Sequence, residues 1–526
     1  MTTALESYVA GRWVAGDDGV PVADAVTGEH VVTVSSSGLD LVAGLGHAWR
    51  AGGPALRGLT FRERAGMLTA LATQLREHRP HYYALSHRTG ATTADAKVDV
   101  DGGIAVLSAY AALGADLPDD TVLTVDAPQR LSRGTGFAGQ HLATPRLGVA
   151  VQINAYNFPV WGMLEKLAPA LLAGVASIVK PATPTAYVTE RVVRDIVASG
   201  LLPDGALQLV CGSITNLLDH LGPQDSIAFT GSATTAARLR AAPVVVREAV
   251  RFTAEADSLN CSILGPDAAP GTAEFDLYVE QLVVEMTVKA GQKCTAIRRA
   301  IVPQKHLDAV LDAVSGRLAQ VVVGHPASAQ VQMGALAGLE QRDDVRSAIT
   351  ALTRGARIVS GDPDKVDPVD ADAERGAFLG PVLLHASDPD AAEPHDVEAF
   401  GPVSTVMGYR SVAHAGELAA RGRGSLAASV VTADDNTARD LVRTLAPWHG
   451  RVLVLDTRCA AESTGHGAPL PGLLHGGPGR AGGGAELGGL HAVDHHLQRT
   501  AVQGSPAMLA AIQSSPAMLA AIRGTS

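Results

Sequence analysis

Residues 148–230 alternate short apolar runs with amphipathic ones, and this pattern constrains the fold more than any other feature of the chain. The apolar stretches 148–153, 176–179, 206–210 and 226–229 read as buried strands. Between them, 160–173, 185–198 and 215–221 read as helices, the first two stopping at Gly174 and Gly200. A strand–helix unit of roughly 30 residues is a βαβ unit. It predicts a parallel sheet with right-handed crossovers and therefore an α/β fold class. Ligands of such sheets sit beyond the carboxyl ends of the strands. The residues expected there are 154–157, 180–183 and 230–232, each set rich in polar residues or glycine.

The rest of the chain is less regular. Residues 8–33 read as short strands, and 39–49, 61–78 and 82–114 as helices, with Pro80 closing the second. A hairpin-like excursion follows at 121–147. It has little core of its own and is expected to pair with something else, such as another subunit. Glu255 stands at the head of an apolar stretch, 255–264, that reads as a strand. A helix over 276–288 leads to Cys294, and a second α/β region runs to about residue 455, with a solvated acidic loop at 362–374. The Gly-rich segment 472–489 is expected to be ordered, because apolar residues resume after it. Residues 505–512 recur as 515–522, too short to be a repeat fold, and read as a tail.

Bulk properties exclude several classes. A chain of 526 residues is expected to hold two or more domains. The formal net charge of −11, with no basic run interleaved with aromatics, argues against nucleic acid as a partner. No uninterrupted apolar run reaches the ~18 residues of a membrane span, and the N-terminus lacks the regions of a signal peptide. Four cysteines at irregular spacing make no disulfide framework. The expectation is a soluble, cytoplasmic protein with no membrane partner. His491, His495 and His496 lack the wider ligand set of a zinc site, so no metal is expected.

Of the cysteines, Cys211 and Cys261 lie in apolar strand-like runs and read as small core residues. Cys294 differs. It follows Gly291-Gln292-Lys293, where a close backbone approach and a neighbouring cation are both possible, and a cation lowers a thiol's pKa toward the nucleophilic thiolate.

Six segments now stand in order: Asn157-Phe158-Pro159, Lys180-Pro181-Ala182, Phe229-Thr230-Gly231-Ser232, Glu255, Gly291-Gln292-Lys293-Cys294 and Glu398-Ala399-Phe400-Gly401-Pro402-Val403. In this order and spacing the chain resembles the aldehyde dehydrogenase superfamily over about residues 8–500. The resemblance implies a Rossmann-like cofactor domain (1–120 and 148–254), an α/β catalytic domain carrying the nucleophilic cysteine (255–480), a β oligomerisation arm (121–147 and 485–504) and a homodimer or tetramer. Cys294 would attack an aldehyde carbonyl. The Asn157 amide and the Cys294 backbone N–H would hold the oxyanion, and Glu255, its pKa raised by a partly apolar site, would activate water against the thioester. Lys180 would bind the adenosine ribose, Ser232 the pyrophosphate and Glu398 the nicotinamide ribose, with Phe400 near the nicotinamide. Members that prefer NAD usually carry Glu three residues after the lysine. This chain has Thr183, so NADP is expected over NAD.

Within the superfamily, 154–162, 255–260, 291–299 and 474–484 resemble the ring-cleavage semialdehyde dehydrogenases of CoA-dependent aromatic degradation, in the phenylacetate and benzoyl-CoA pathways. The implied substrate is a CoA-thioester semialdehyde, either 3,4-dehydroadipyl-CoA semialdehyde or 3-oxo-5,6-dehydrosuberyl-CoA semialdehyde. The additional C-terminal hydratase domain of the phenylacetate-pathway protein is expected to be absent. The alternatives are a general semialdehyde dehydrogenase that does not need CoA and a non-enzymatic use of the fold.

Overall fold

The computed structural model describes residues 4–513. Its first sheet runs in the spatial order Arg251–Glu255, Ser226–Thr230, Val149–Ile153, Ala176–Lys180, Leu207–Leu209, Glu6–Val9, Arg12–Ala15. The first five strands are parallel, and the N-terminal hairpin adds two antiparallel ones at the edge. Val149–Ile153 is the point at which the strand order reverses. At such a switch point the connections leave the sheet in opposite directions and a crevice opens beyond the carboxyl ends. The register pairs Ile153 with Lys180 and Thr230 with Glu255, so these ends lie level.

The second sheet has the order Arg357–Ser360, Val382–Ala386, Val403–Tyr409, Arg299–Pro303, Cys261–Leu264, Ser425–Val431, His449–Leu455, parallel except for the first pair. Residues 291–298, 398–402 and Asn260 all lie at the amino ends of its strands. The crevice of the first sheet therefore faces the amino ends of the second.

The helical layer of the first sheet is built on Phe61–Glu77, Thr93–Ala115 and Trp161–Ala173, which pack on one another. Two of them begin with reciprocal caps. Thr60 Oγ1 accepts from Glu63 N while Thr60 N donates to Glu63, and Thr92 and Asp95 repeat the arrangement. Thr93–Ala115 is long and apolar enough to cross a membrane by length and composition. Here it is a core helix, with Val100, Ile104, Leu107 and Ala111 buried against its neighbours.

Several sequence expectations need correction. The helix expected over 39–49 is Leu41–His47 followed by a wider π turn, Ala48–Gly52. The helix expected over 82–114 is two helices, Arg79–His87 and Thr93–Ala115, parted at Gly90, whose φ is +85°. Pro80 lies within the first turn of Arg79–His87, where no intrahelical N–H is required of it. The segment 215–221 forms a single helical turn, Thr215–Leu218. Glu255 does not head a strand. It ends Arg251–Glu255 of the first sheet, and residues 256–260 cross to Cys261–Leu264 in the second.

The excursion after 120 pairs within its own chain. Ala138–Pro145 lies antiparallel to Leu497–Gly504 along eight register pairs, with Leu123–Thr124 and Gln129–Arg130 on its other side. The Gly-rich segment is ordered, with His475–Gly477 paired to Gly484–Leu487. The first copy of the duplicated tail forms the helix Pro506–Gln513, and the second copy lies outside the described residues.

Arg299 shows how the second sheet is locked. Its wholly buried guanidinium donates to the Leu259, Leu418 and Ala419 carbonyls at 2.7–2.9 Å. Arg299→Met removes the side-chain donor from the Leu259 and Leu418 carbonyls, while Ala419 keeps the Gly422 N–H. At about 1–3 kcal/mol for each buried polar group left unpaired, the urea midpoint of unfolding is expected to fall sharply.

Candidate active site

The helix Ala273–Thr287 runs into Val288–Gly291, where Lys289, Ala290 and Gly291 have φ of 56°, 50° and 67°. Three successive left-handed residues are costly for side chains with a Cβ, and the surroundings hold them. Asp95 Oδ1 accepts from Lys289 N at 2.7 Å. A Cβ on Gly291 would drive into the Gly401 carbonyl, so only glycine fits there. The reversal delivers Cys294 to the crevice, partly exposed, while Cys211 and Cys261 are fully buried.

Two side chains clamp the stretch from both ends. Asn260 Nδ2 donates to the Cys294 and Ala296 carbonyls at 2.8 and 3.0 Å, while its Oδ1 accepts from Ala427 N and Ser258 Oγ. Arg298 donates to the Gly291, Lys293 and Gly401 carbonyls at 3.0, 3.1 and 2.8 Å. Sequence reasoning assigned neither residue a role. Asn260 and Arg298 lie inside the matched motifs, but the contacts that tie them to other loops, Asn260 to Cys294 and Ala427 and Arg298 to Gly401, are far away in sequence.

Asn157 is brought to Cys294 from the first sheet. Its Nδ2 donates to the Gln292 carbonyl at 2.9 Å, using one of two amide hydrogens. Its loop is fixed by Asp99, which accepts from Val160 N and Trp161 N at the start of the following helix. Glu255 arrives at the end of its strand. One of its oxygens, Cys294 Sγ and a ring nitrogen of His475 all lie within 4.8 Å of one another. His475 Nε2 is 3.0 Å from Glu255 Oε2, and both side chains are buried. Among the described residues this is the one cluster of three donors able to hold a metal ion.

The electrostatics correct two expectations. Lys293 does not serve as the thiol's cation. Its Nζ pairs with the buried Glu285 at 2.7 Å. Burial, then Glu255 and Glu165, push the Cys294 thiol well above its usual pKa, opposed by Arg451. Nor does an apolar site raise Glu255. Burial alone would do so, but His475 and Lys166 outweigh it and hold the carboxyl below the usual range. Burial disfavours the charged ring of His475, yet the facing Glu255 raises it overall.

Two cavities meet at these residues. One, of about 350 Å³, is lined by Asn157, Phe158, Trp161, Glu255, Cys294 and His475 among others. Its walls include Val98, Val284 and Val288, and the segment 463–469 crosses it. The other, of about 550 Å³, runs over the carboxyl ends of the first sheet past Asn154, Lys180, Ser232, Glu398 and Phe400. It continues past Lys180 into a groove of about 900 Å³ that holds Thr183, Ser36, Ser213 and Arg238.

The donors along this second path fit a dinucleotide. Both amide atoms of the buried Asn154, Thr230 Oγ1 and Glu398 Oε1 lack hydrogen-bond partners. Glu398 is pushed up to about 7 by burial, against Arg298 at 3.7 Å. Phe400 packs edge-on to Tyr156, with the Arg298 guanidinium over its face. Ser232 caps Ala233–Arg240, accepting from Thr235 N, and Ala233 N donates to Asp257 Oδ1. The start of that helix is thus already partly satisfied from within. All eight residues singled out from the sequence (Asn157, Lys180, Thr183, Ser232, Glu255, Cys294, Glu398, Phe400) line one of these connected spaces. His475 was missed. It lies in a Gly-rich stretch with no periodic signal, and only the strand pairing brings it under Glu255.

Gly291→Ala is expected to lower the urea midpoint, since a left-handed residue with a Cβ costs roughly 1–2 kcal/mol before any collision. Displacement of the loop from Gly401 should also change the rate at which iodoacetamide alkylates Cys294.

Comparison with known proteins agrees with this geometry. The aldehyde dehydrogenase family profile matches residues 13–501. The chain is 48% identical over 478 residues to 3,4-dehydroadipyl-CoA semialdehyde dehydrogenase of Aromatoleum evansii, covering 90% of this chain and 93% of that protein. It is 28% identical over 503 residues to the non-phosphorylating aspartate-semialdehyde dehydrogenase of Halomonas elongata, covering 94% of each. Betaine aldehyde dehydrogenase from Staphylococcus aureus, solved with NAD+, has the same fold, with a TM-score of 0.81 at 23% identity over 95% of each chain. The chain belongs to the aldehyde dehydrogenase family and is an NAD(P)-dependent oxidoreductase acting on aldehydes.

Proposed function

We propose that the protein oxidises a CoA-thioester semialdehyde to the carboxylate with NADP, through a covalent thioester on Cys294. The observation that carries the mechanism is the meeting of the two cavities at Cys294, Glu255 and Asn157. A substrate aldehyde enters the smaller cavity, and Cys294 Sγ bonds to its carbonyl carbon as the thiol proton passes to water and the carbonyl π pair moves onto oxygen. The free amide hydrogen of Asn157 and the Cys294 backbone N–H hold the developing oxyanion. When bound, the nicotinamide supplies the hydride acceptor that turns the thiohemiacetal into a thioester. Glu255 then takes a proton from water as the water oxygen bonds to the acyl carbon and the C–S bond breaks. Lys180, Ser232, Glu398 and Phe400 bind and orient the dinucleotide along the larger cavity.

Support for the substrate class is the 48% identity to a CoA-semialdehyde dehydrogenase across nearly the full length of both chains. Support for NADP is the groove around Lys180, where Thr183, Ser36, Ser213 and Arg238 gather with Asp18 and Asp40 among the lining residues. A 2′-phosphate there meets Lys180, a hydroxyl and Arg238. For assembly we propose a homodimer, or a tetramer of two dimers, through the sheet of Leu123–Thr124, Ala138–Pro145 and Leu497–Gly504, near which Val125, Leu131 and Phe137 are exposed. A monomeric mass in light scattering at micromolar concentration overturns it.

The decisive experiment compares initial rates on a CoA-tethered semialdehyde and on the same aldehyde as a free acid. A strong preference for the ester is expected. Equal rates favour a general semialdehyde dehydrogenase. Cys294→Ala should abolish turnover and keep cofactor binding. Glu255→Gln should keep the burst of NADPH and stall afterwards. Asn157→Ala should slow turnover on the order of 10²–10³-fold, the effect of one oxyanion donor. Thr183→Glu should turn the cofactor preference from NADP toward NAD, read as the ratio of kcat/KM values.

A further inference from the structure

We propose that His475 is the positioning residue of the base: its ring pairs with Glu255 Oε2 and so fixes the carboxylate beside Cys294 and the water that attacks its thioester. This rests on the reading of Cys294 as nucleophile and Glu255 as base.

His475–Gly477 is a short strand with a register shift between His475 and Gly476, paired to Gly484–Leu487. It lies hard against His449–Leu455. A Cβ on Gly450 would overlap the Gly476 carbonyl, so the two backbones touch. Glu255 comes from the opposite side, at the end of the edge strand of the first sheet. The two side chains therefore meet across the junction of the two sheets, at 3.0 Å, and both line the smaller cavity with Cys294. A buried ion pair that served only folding would have no need to sit in a substrate cavity, within 4.8 Å of the nucleophile.

The chemistry requires such a partner. A glutamate side chain has three rotatable bonds, and a base must be within hydrogen-bond reach of the proton it takes. A carboxylate with nothing to hold it also tends to take up a proton when buried. Glu165 on the neighbouring helix makes this worse, as a second carboxylate facing the same space. Among the described residues, the charged groups around Glu255 are His475, Lys166 and Glu165, Arg451 on His449–Leu455, and Cys294 itself. Of the cations, His475 is the one at ion-pair distance, and its influence on Glu255 exceeds that of Lys166. The pair holds the base ionised and in place while the acyl group is on the sulfur. When Glu255 takes the proton of the attacking water, its charge is neutralised and its hold on the His475 ring weakens.

Glu255 in the folded protein is held below its ordinary pKa, so in the wild type the base stays ionised through the weakly acidic range. Without His475 that pKa rises, by about 1–3 units for loss of an adjacent opposite charge.

The test uses the full-length enzyme with NADP and butanal. His475→Gln keeps a donor of similar reach and removes the charge, and His475→Phe removes both. For His475→Gln, kcat at neutral pH is expected to fall, the NADPH burst to persist, and an acid limb to appear in the kcat profile that the wild type lacks. His475→Phe should show the same limb with a larger loss. The NADP dissociation constant and the thermal unfolding midpoint serve as folding controls. A rate lowered equally at all pH values, or a profile superimposable on the wild type, overturns the role of His475. Turnover retained in Cys294→Ala, or in Glu255→Gln, instead overturns the underlying assignment of nucleophile and base.

Discussion

The grip of Arg298 on three backbone carbonyls is the interaction on which the site depends. One guanidinium joins the reversal that carries Cys294, through Gly291 and Lys293, to the loop that carries Glu398 and Phe400, through Gly401. A planar, always-charged fork can make such divergent contacts while buried, which a lysine cannot. Burying it is costly; the carbonyls engage both terminal nitrogens, while Nε faces Glu398 Oε1 at 3.7 Å without a hydrogen bond. Asn260 closes the loop from the other side, with both ends of its amide engaged. The strained triplet Lys289–Gly291 persists because these contacts over-determine it.

The charges around Cys294 come in interleaved pairs: Glu255 with His475, Glu285 with Lys293, Glu398 with Arg298, and Glu165 with Lys166. Each buried carboxylate has a cation at or near contact, so little net charge is left in low dielectric. The thiol is the exception. It has carboxylates near it and, among the described residues, no cation in contact, and burial together with Glu255 and Glu165 raises its pKa.

Much of the first sheet was legible in the chain. Hydrophobic periodicity is local, and Val149–Ile153, Ala176–Lys180 and Ser226–Thr230 announce themselves by apolar runs bounded by turns. Where tertiary contacts override local signals the reading slipped. Residues 215–221 carry helix-forming residues, yet only Thr215–Leu218 winds. The apolar stretch after Glu255 hid a crossing between two sheets, because strand ends on different sheets look alike in one dimension. The likeness to a known family picked out Cys294, Asn157 and Glu255 as candidates, since those residues sit in short motifs, and all three line the crevice.

The sequence by itself determined the fold class, the family and the residues that line the crevice, because period, turn chemistry and short motifs are all local. Only the tertiary structure decided which charges meet. It turned Lys293 away from the thiol and onto Glu285, set Arg298 and Asn260 as the clamps of the Cys294 loop, and brought His475 across 220 residues to Glu255. Electrostatic partnership depends on distance and burial in three dimensions, and neither is written in the spacing of residues along the chain.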